Sequence, residues 1–170
     1  REQGKGREIK NFAAEELPID LLFLVDVSGS MRPHVERMAV AAHSTLPSLR
    51  EEDRMAVMVF DRNTRLRMPL RPGSTEGRRE LDNVLRSERF NNGTDITRAL
   101  YDAARFMKRQ GRKEARRAIV LLTDDMTGNE SDTFGVVRAL RDAETVMSVL
   151  LVPAATPRGM GRRRGGGWGN

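Results

Sequence analysis

Short apolar stretches punctuate an otherwise charged chain, and their internal patterns assign them different places in a fold. Leu21, Leu22, Phe23, Leu24 and Val25 form an unbroken run within residues 19–27. A run this short, closed by Gly and small polar residues, predicts a strand buried on both faces, as in parallel sheets between layers of helices. Residues 55–60 predict a second such strand, and 118–123 and 146–152 two more. The segment after residue 60 differs: Leu66, Met68 and Leu70 alternate with Arg65, Arg67 and Pro69. That alternation predicts a strand with one covered face, and its arginines and proline suit an exposed edge. The short link at 61–64 makes the two strands a hairpin.

Between the strands the period changes to that of helices. Val35, Met38, Ala42, Leu46 and Leu49 recur at spacings of three and four and predict a helix over 32–49. Pro33 suits its first turn, and Pro47 should kink it or end it early. Leu81, Val84 and Leu85 mark a helix over 75–86, and Ile96, Leu100, Ala103 and Met107 a longer one closed by Gly111. A last helix is predicted over 132–143. The order βαββααβαβ predicts a three-layer, doubly wound (Rossmann-like) α/β fold: a mostly parallel sheet with one antiparallel edge strand.

Domain organisation follows from where this patterning stops. Residues 1–16 are polar, with Ile9 and Phe12 as apolar anchors, and read as a leader or the end of a preceding module. Residues 17–155 form the domain. Residues 156–170 are rich in Gly and Arg, without periodicity, and predict a disordered tail in which Trp168 is a solvated remnant. The chain starts at Arg1 without a Met, as an excised fragment would. A net charge of +6 raises the possibility of an anionic partner, but the 30 basic residues are scattered among 24 acids and aromatics make up 5%. Single-strand recognition needs rings interleaved with the positive charge, so no specific nucleic-acid partner is expected. The absence of cysteine excludes disulfides, thiolate metal sites and Cys nucleophiles. There is no transmembrane run and no visible signal peptide. The oligomeric state is left open.

The candidate chemistry lies in three loops: Asp26-Val27-Ser28-Gly29-Ser30 after the first strand, Gly93-Thr94 before the long helix, and Thr123-Asp124 after the fourth strand. With the first and fourth strands adjacent, the first and third loops converge at the carboxyl edge of the sheet, where open α/β sheets bind ligands. Carboxylates and hydroxyls suit a hard divalent cation, Mg²⁺ before Mn²⁺ or Ca²⁺, rather than zinc. Catalysis is not expected. A serine hydrolase needs a His base, and His34 and His43 both fall on the first helix as surface or packing residues. No phosphate-binding Gly-x-x-x-x-Gly-Lys loop is present, and a dehalogenase-type phosphotransferase would place an acid where Ser28 stands. The competing reading is that these residues cap turns and hold no metal.

On these motifs the chain resembles the von Willebrand factor type A (vWA) domains over roughly residues 17–155, with Asp26, Ser28, Ser30, Thr94 and Asp124 matching their metal-ion-dependent adhesion site. The resemblance implies that Ser28, Ser30 and, in one state, Thr94 hold Mg²⁺ directly while Asp26 and Asp124 act through bound waters. It implies a protein partner offering a Glu or Asp, hence a docking module rather than an enzyme, or else an accessory subunit of a chelatase-like ATPase. The opening residues resemble a bacterial subgroup whose members are often exported, which implies a cell-envelope setting. The chain departs from the family pattern in two places. Asp125 stands where relatives usually have Gly, and the tail replaces a further helix, strand and C-terminal helix, so the strand at 146–152 is expected to be an uncovered edge.

Overall fold

The computed structural model describes residues 17–45, 49–90, 93–124 and 132–151. The leader, the tail, Pro47 and Asp125, and the side chain of His43, lie outside the described residues. Strand β1 (Ile19–Asp26) leads through a 3₁₀ turn (Gly29–His34) into α1 (Val35–Thr45). Then follow β2 (Arg54–Phe60), β3 (Thr64–Pro72), α2 (Ser74–Ser87), α3 (Ile96–Gln110), β4 (Arg116–Thr123), α4 (Thr133–Asp142) and β5 (Thr145–Leu151). The strands form one sheet in the order β3-β2-β1-β4-β5. β1 runs parallel to β2 and β4, β4 parallel to β5, and β2 with β3 is the antiparallel pair. The expected doubly wound α/β architecture is therefore present.

The unbroken apolar run of β1 serves two cores at once. Leu21, Phe23 and Val25 pack with Met38 of α1 and Leu81, Val84 and Leu85 of α2. Leu22 and Leu24 point the other way, into a layer built by Leu100, Ala103 and Met107 of α3 and Val136 and Leu140 of α4. Successive strand residues face opposite sides, so a central strand covered twice must be apolar at every position. Leu22 is fully buried. Leu22→Ala should therefore destabilise the fold by about 3 kcal/mol, read as a lowered midpoint in urea unfolding.

Two segments differ from the sequence expectation. The single helix expected over 32–49 is a 3₁₀ turn followed by α1. The N–H of Met31 reaches the carbonyl of Ser28 at 3.1 Å, and Pro33, inside the turn, has no N–H to extend an α-helical ladder backwards. In β3 the simple alternation fails because the pairing with β2 shifts register twice, between Met55 and Val57 and between Val57 and Met58. Met68 and Leu70 consequently pack against opposite cores, while Leu66 is exposed.

The two ends of β1 are electrostatic opposites. At its amino end Asp20, wholly buried, accepts from Arg54 Nε at 2.9 Å and Nη2 at 2.6 Å. It also accepts from Arg112 through the backbone N–H at 2.7 Å and through Nε and Nη2 at 3.0 and 2.7 Å. Burial by itself would raise this carboxyl, but the two guanidinium groups outweigh it and bring it down to about 2. Nearby, Asp53 accepts from the N–H groups of Ile19 and Arg50, both at 2.7 Å, and so fixes the entry into β1.

Candidate metal centre

The carboxyl end of β1 lies at the switch point of the sheet, with the chain leaving for β2 on one side and β4 on the other. Asp26 is the last residue of β1 and is completely buried. Its Oδ1 accepts from the backbone N–H of Ser28 at 2.9 Å, which closes the turn. Its Oδ2 accepts from the Thr123 hydroxyl at 2.7 Å. The parallel register that sets Val25 opposite Leu122 carries the next residues, Asp26 and Thr123, alongside each other and leaves buried Asp124 one step beyond the end of β4.

Ser28 is buried and Ser30 exposed, with their hydroxyl oxygens 3.1 Å apart. Ser28 precedes the 3₁₀ turn in extended conformation, yet its side chain makes no capping bond there. A cap residue normally spends its hydroxyl on the orphan N–H groups of the turn; this one is directed at Ser30 instead.

Thr94 is half-buried in the loop before α3. That loop is tied to the end of β2: the N–H of Asp95 donates to the carbonyl of Asp61 at 3.0 Å, and the Arg62 guanidinium lies over Gly93. Asp61 is itself buried, accepting from the Asn63 N–H at 2.8 Å and from Arg65 at 3.0 Å. Because Asp26 is in register with Phe60, this loop belongs to the same edge of the sheet as the serines. The structure thus brings Asp26, Ser28, Ser30 and Asp124 together. It places Thr94 on the same edge, without a hydrogen bond from Thr94 to the other four among the described residues.

Electrostatics separate this end of β1 from the other. Burial raises the Asp26 carboxyl; hydrogen bonds from Ser28 and Thr123 oppose the rise, and the charge of Asp124 adds to it. Among the described residues every hydrogen bond to Asp26 comes from a neutral donor, whereas Asp20 has two arginines. No arginine or lysine hydrogen-bonds to Asp26 among the described residues. Two carboxylates with converging hydroxyls fit a hard cation that retains part of its water shell, as Mg²⁺ does. Among the described residues no group of three or more acidic or histidine side chains forms a denser cage.

Sequence reasoning places Thr123 in a candidate loop without assigning it a role, and misses Asp61. The role of Thr123 is signalled by its position at the end of an otherwise apolar strand, since a polar side chain at a buried strand end needs a partner. Asp61 read as an ordinary turn residue, and only its burial reveals that it anchors the Thr94 loop. His34 is buried at the end of the 3₁₀ turn, as a packing histidine would be.

The family model for the von Willebrand factor type A domain matches residues 21–129, which contain all five of these positions. The chain belongs to the von Willebrand factor type A family. Solved structures share the fold of this vWA domain. An aerotolerance-related membrane protein from Bacteroides fragilis superposes with a TM-score of 0.66 at 19% identity, over 86% of this chain and 77% of its own. The manganese-loaded TRAP protein of Plasmodium vivax gives 0.67 at 19%, over 86% of this chain and 66% of its own. Proximal thread matrix protein 1 from the mussel byssus, with a zinc-occupied adhesion-site motif, gives 0.66 at 14% identity, over 79% of this chain and 38% of its own. At these identities the likeness establishes the fold alone. A comparison with curated proteins returns no match.

Proposed function

We propose that this vWA domain is a divalent-cation-dependent protein-binding module, for adhesion or complex assembly, in which a bound Mg²⁺ accepts a Glu or Asp from a partner. The observation that carries the reading is the buried carboxylate of Asp26, which among the described residues accepts only from neutral donors and sits beside Asp124 and the paired hydroxyls of Ser28 and Ser30. In this reading Ser28, Ser30 and Thr94 hold the cation directly, and Asp26 and Asp124 orient its waters. Neutral direct ligands leave Mg²⁺ electron-poor, so that a partner carboxylate is favoured once water is excluded. Thr123 keeps Asp26 in place, and the Asp61–Asp95 link ties the Thr94 loop to the end of β2. Metal-loaded relatives, one with manganese and one with zinc, support a divalent cation at this position.

Nothing in this arrangement is assigned a bond-breaking step, and the reading includes no turnover. A competing reading is a scaffold without metal, favoured by the fact that the Ser28 and Thr123 bonds to Asp26 already close the turn. Capture of partners from the source cell on the immobilised chain separates the two. Specific partners should be retained in Mg²⁺ and released by EDTA. Retention indifferent to EDTA would leave the scaffold reading standing, and co-purification with a chelatase-like ATPase would identify the assembly as that of an accessory subunit.

A further inference from the structure

The hairpin of β2 and β3 carries Arg54, Arg62, Arg65, Arg67 and Arg71, and all but one of these hold carboxylates. Arg54 pairs with Asp20, Arg65 with Asp61 and Glu88, Arg67 with Glu80 and Glu88, and Arg71 with Glu76. Arg62, in the short link between the two strands, is the exception. It is exposed and makes no hydrogen bond or ion pair among the described residues.

This link stands at the carboxyl edge of the sheet, beside the candidate metal centre. Phe60, two residues before Arg62, is in register with Asp26, and its carbonyl accepts from the N–H of Val27 at 2.8 Å. Asp61 holds the link there: its carboxylate accepts from the Asn63 N–H, and its carbonyl accepts from the Asp95 N–H of the Thr94 loop. The side chain of Arg62 has a defined place as well. A Cβ at position 93 would stand 3.1 Å from Arg62 Nε and 3.5 Å from Nη2, so the guanidinium lies in the room that Gly93 leaves, next to Thr94. A positive charge here does nothing to hold a cation, since like charges repel. It suits an anion brought to the same edge, and a guanidinium offers carboxylates paired N–H donors.

We propose that Arg62 is a second contact for the partner, which is an acidic segment: one carboxylate completes the shell of the cation and a neighbouring one pairs with the Arg62 guanidinium. The assignment rests on the metal-binding reading above and narrows it. A lone Glu or Asp satisfies the cation, whereas Arg62 selects segments with a further acid a few residues away. Because the guanidinium is already seated on Gly93, less side-chain freedom is lost when the second pair forms.

The test compares short glycine peptides by NMR titration of the 170-residue chain in saturating Mg²⁺. One peptide carries a single central Glu; the other adds a Glu two residues to either side, about 7 Å away along an extended chain. Wild type should bind the second peptide more tightly. That advantage should shrink about fivefold in Arg62→Gln, as expected for a well-formed exposed ion pair. Arg109→Gln removes the same charge from an exposed position at the far end of α3, where the Gln110 carbonyl meets Arg54 at the amino edge of the sheet, and should keep the advantage intact. Calorimetric titration separates a partner contact from a structural role. Arg62→Gln should bind Mg²⁺ at least as tightly as wild type, because a like charge has been taken away. Equal affinity of wild type for the two peptides, an advantage that survives in Arg62→Gln, or an equal loss in Arg109→Gln would overturn the assignment and leave the metal reading in place. Weaker Mg²⁺ binding by Arg62→Gln would also overturn it, making Arg62 a support of the Thr94 loop. A wild type that binds no Mg²⁺ would remove the metal reading and this assignment together.

Discussion

Asp26→Ala should weaken Mg²⁺ and Mn²⁺ binding about 100-fold, measured by calorimetric titration, while the domain stays folded. The residue combines the two roles the site requires. It supplies a buried carboxylate that among the described residues only neutral donors solvate, and through the Ser28 N–H it sets the turn that brings the hydroxyl oxygens of Ser28 and Ser30 to 3.1 Å from each other. Equal affinity in wild type and variant would remove the metal assignment altogether. The isosteric Asp26→Asn sharpens the test because stability and binding should move in opposite directions. Burial holds the folded carboxyl above its ordinary value, so ionising it costs stability: the metal-free wild type should lose stability as pH rises through that window. Asp26→Asn has no charge to bury and should melt higher than wild type in EDTA at neutral pH. Saturating Mg²⁺ should reverse the order, since ligand at 100 times its dissociation constant adds about 2.7 kcal/mol to the form that binds it. A variant that melts lower than wild type even in EDTA would show that Asp26 is a structural residue.

The opposite end of β1 should dominate acid stability. Asp20→Ala is expected to destabilise the fold by about 3–5 kcal/mol at neutral pH, because Arg54 and Arg112 would be left facing each other without their shared carboxylate. The pH dependence has a definite sign. A carboxyl lowered from 3.8 to about 2 in the folded state contributes its full stabilisation above 3.8 and loses it as pH falls towards 2. A shift of this size corresponds to about 2 kcal/mol. Urea unfolding of wild type and Asp20→Asn should therefore differ by about that amount at neutral pH and converge in the acid range. Parallel curves across the whole range would mean that the network contributes packing but no charge effect.

Most of the fold could be read from the sequence, because its main features follow from periods. Leu21 to Val25 had to lie between two layers, and Ile96, Leu100, Ala103 and Met107 had to share a helix face. Errors arose where a single residue or a pairing decided the geometry. Pro33 turned the start of a helix into a 3₁₀ turn, and the register shifts against β2 exposed Leu66 although its alternation with Arg65 and Arg67 predicted cover.

The five proposed site positions are named by the sequence alone: Asp26, Ser28 and Ser30 on one turn, Thr94 in a Gly-Thr loop and Asp124 at a strand end, because motif spacing and strand ends are local properties of the chain. The company these residues keep was decided only in three dimensions. Thr123 meets Asp26, 97 positions earlier, because β1 and β4 pair in parallel with Val25 opposite Leu122. Asp61 tethers the Thr94 loop because β2 ends beside β1. The contrast, among the described residues, between Asp20 with its two arginines and Asp26 with none exists only once Arg112, 92 residues away, has folded back onto the amino end of β1. Charge compensation depends on distance in space, which the sequence does not contain, and in the proposed reading it is this compensation that separates the structural carboxylate of Asp20 from the cation-orienting one of Asp26.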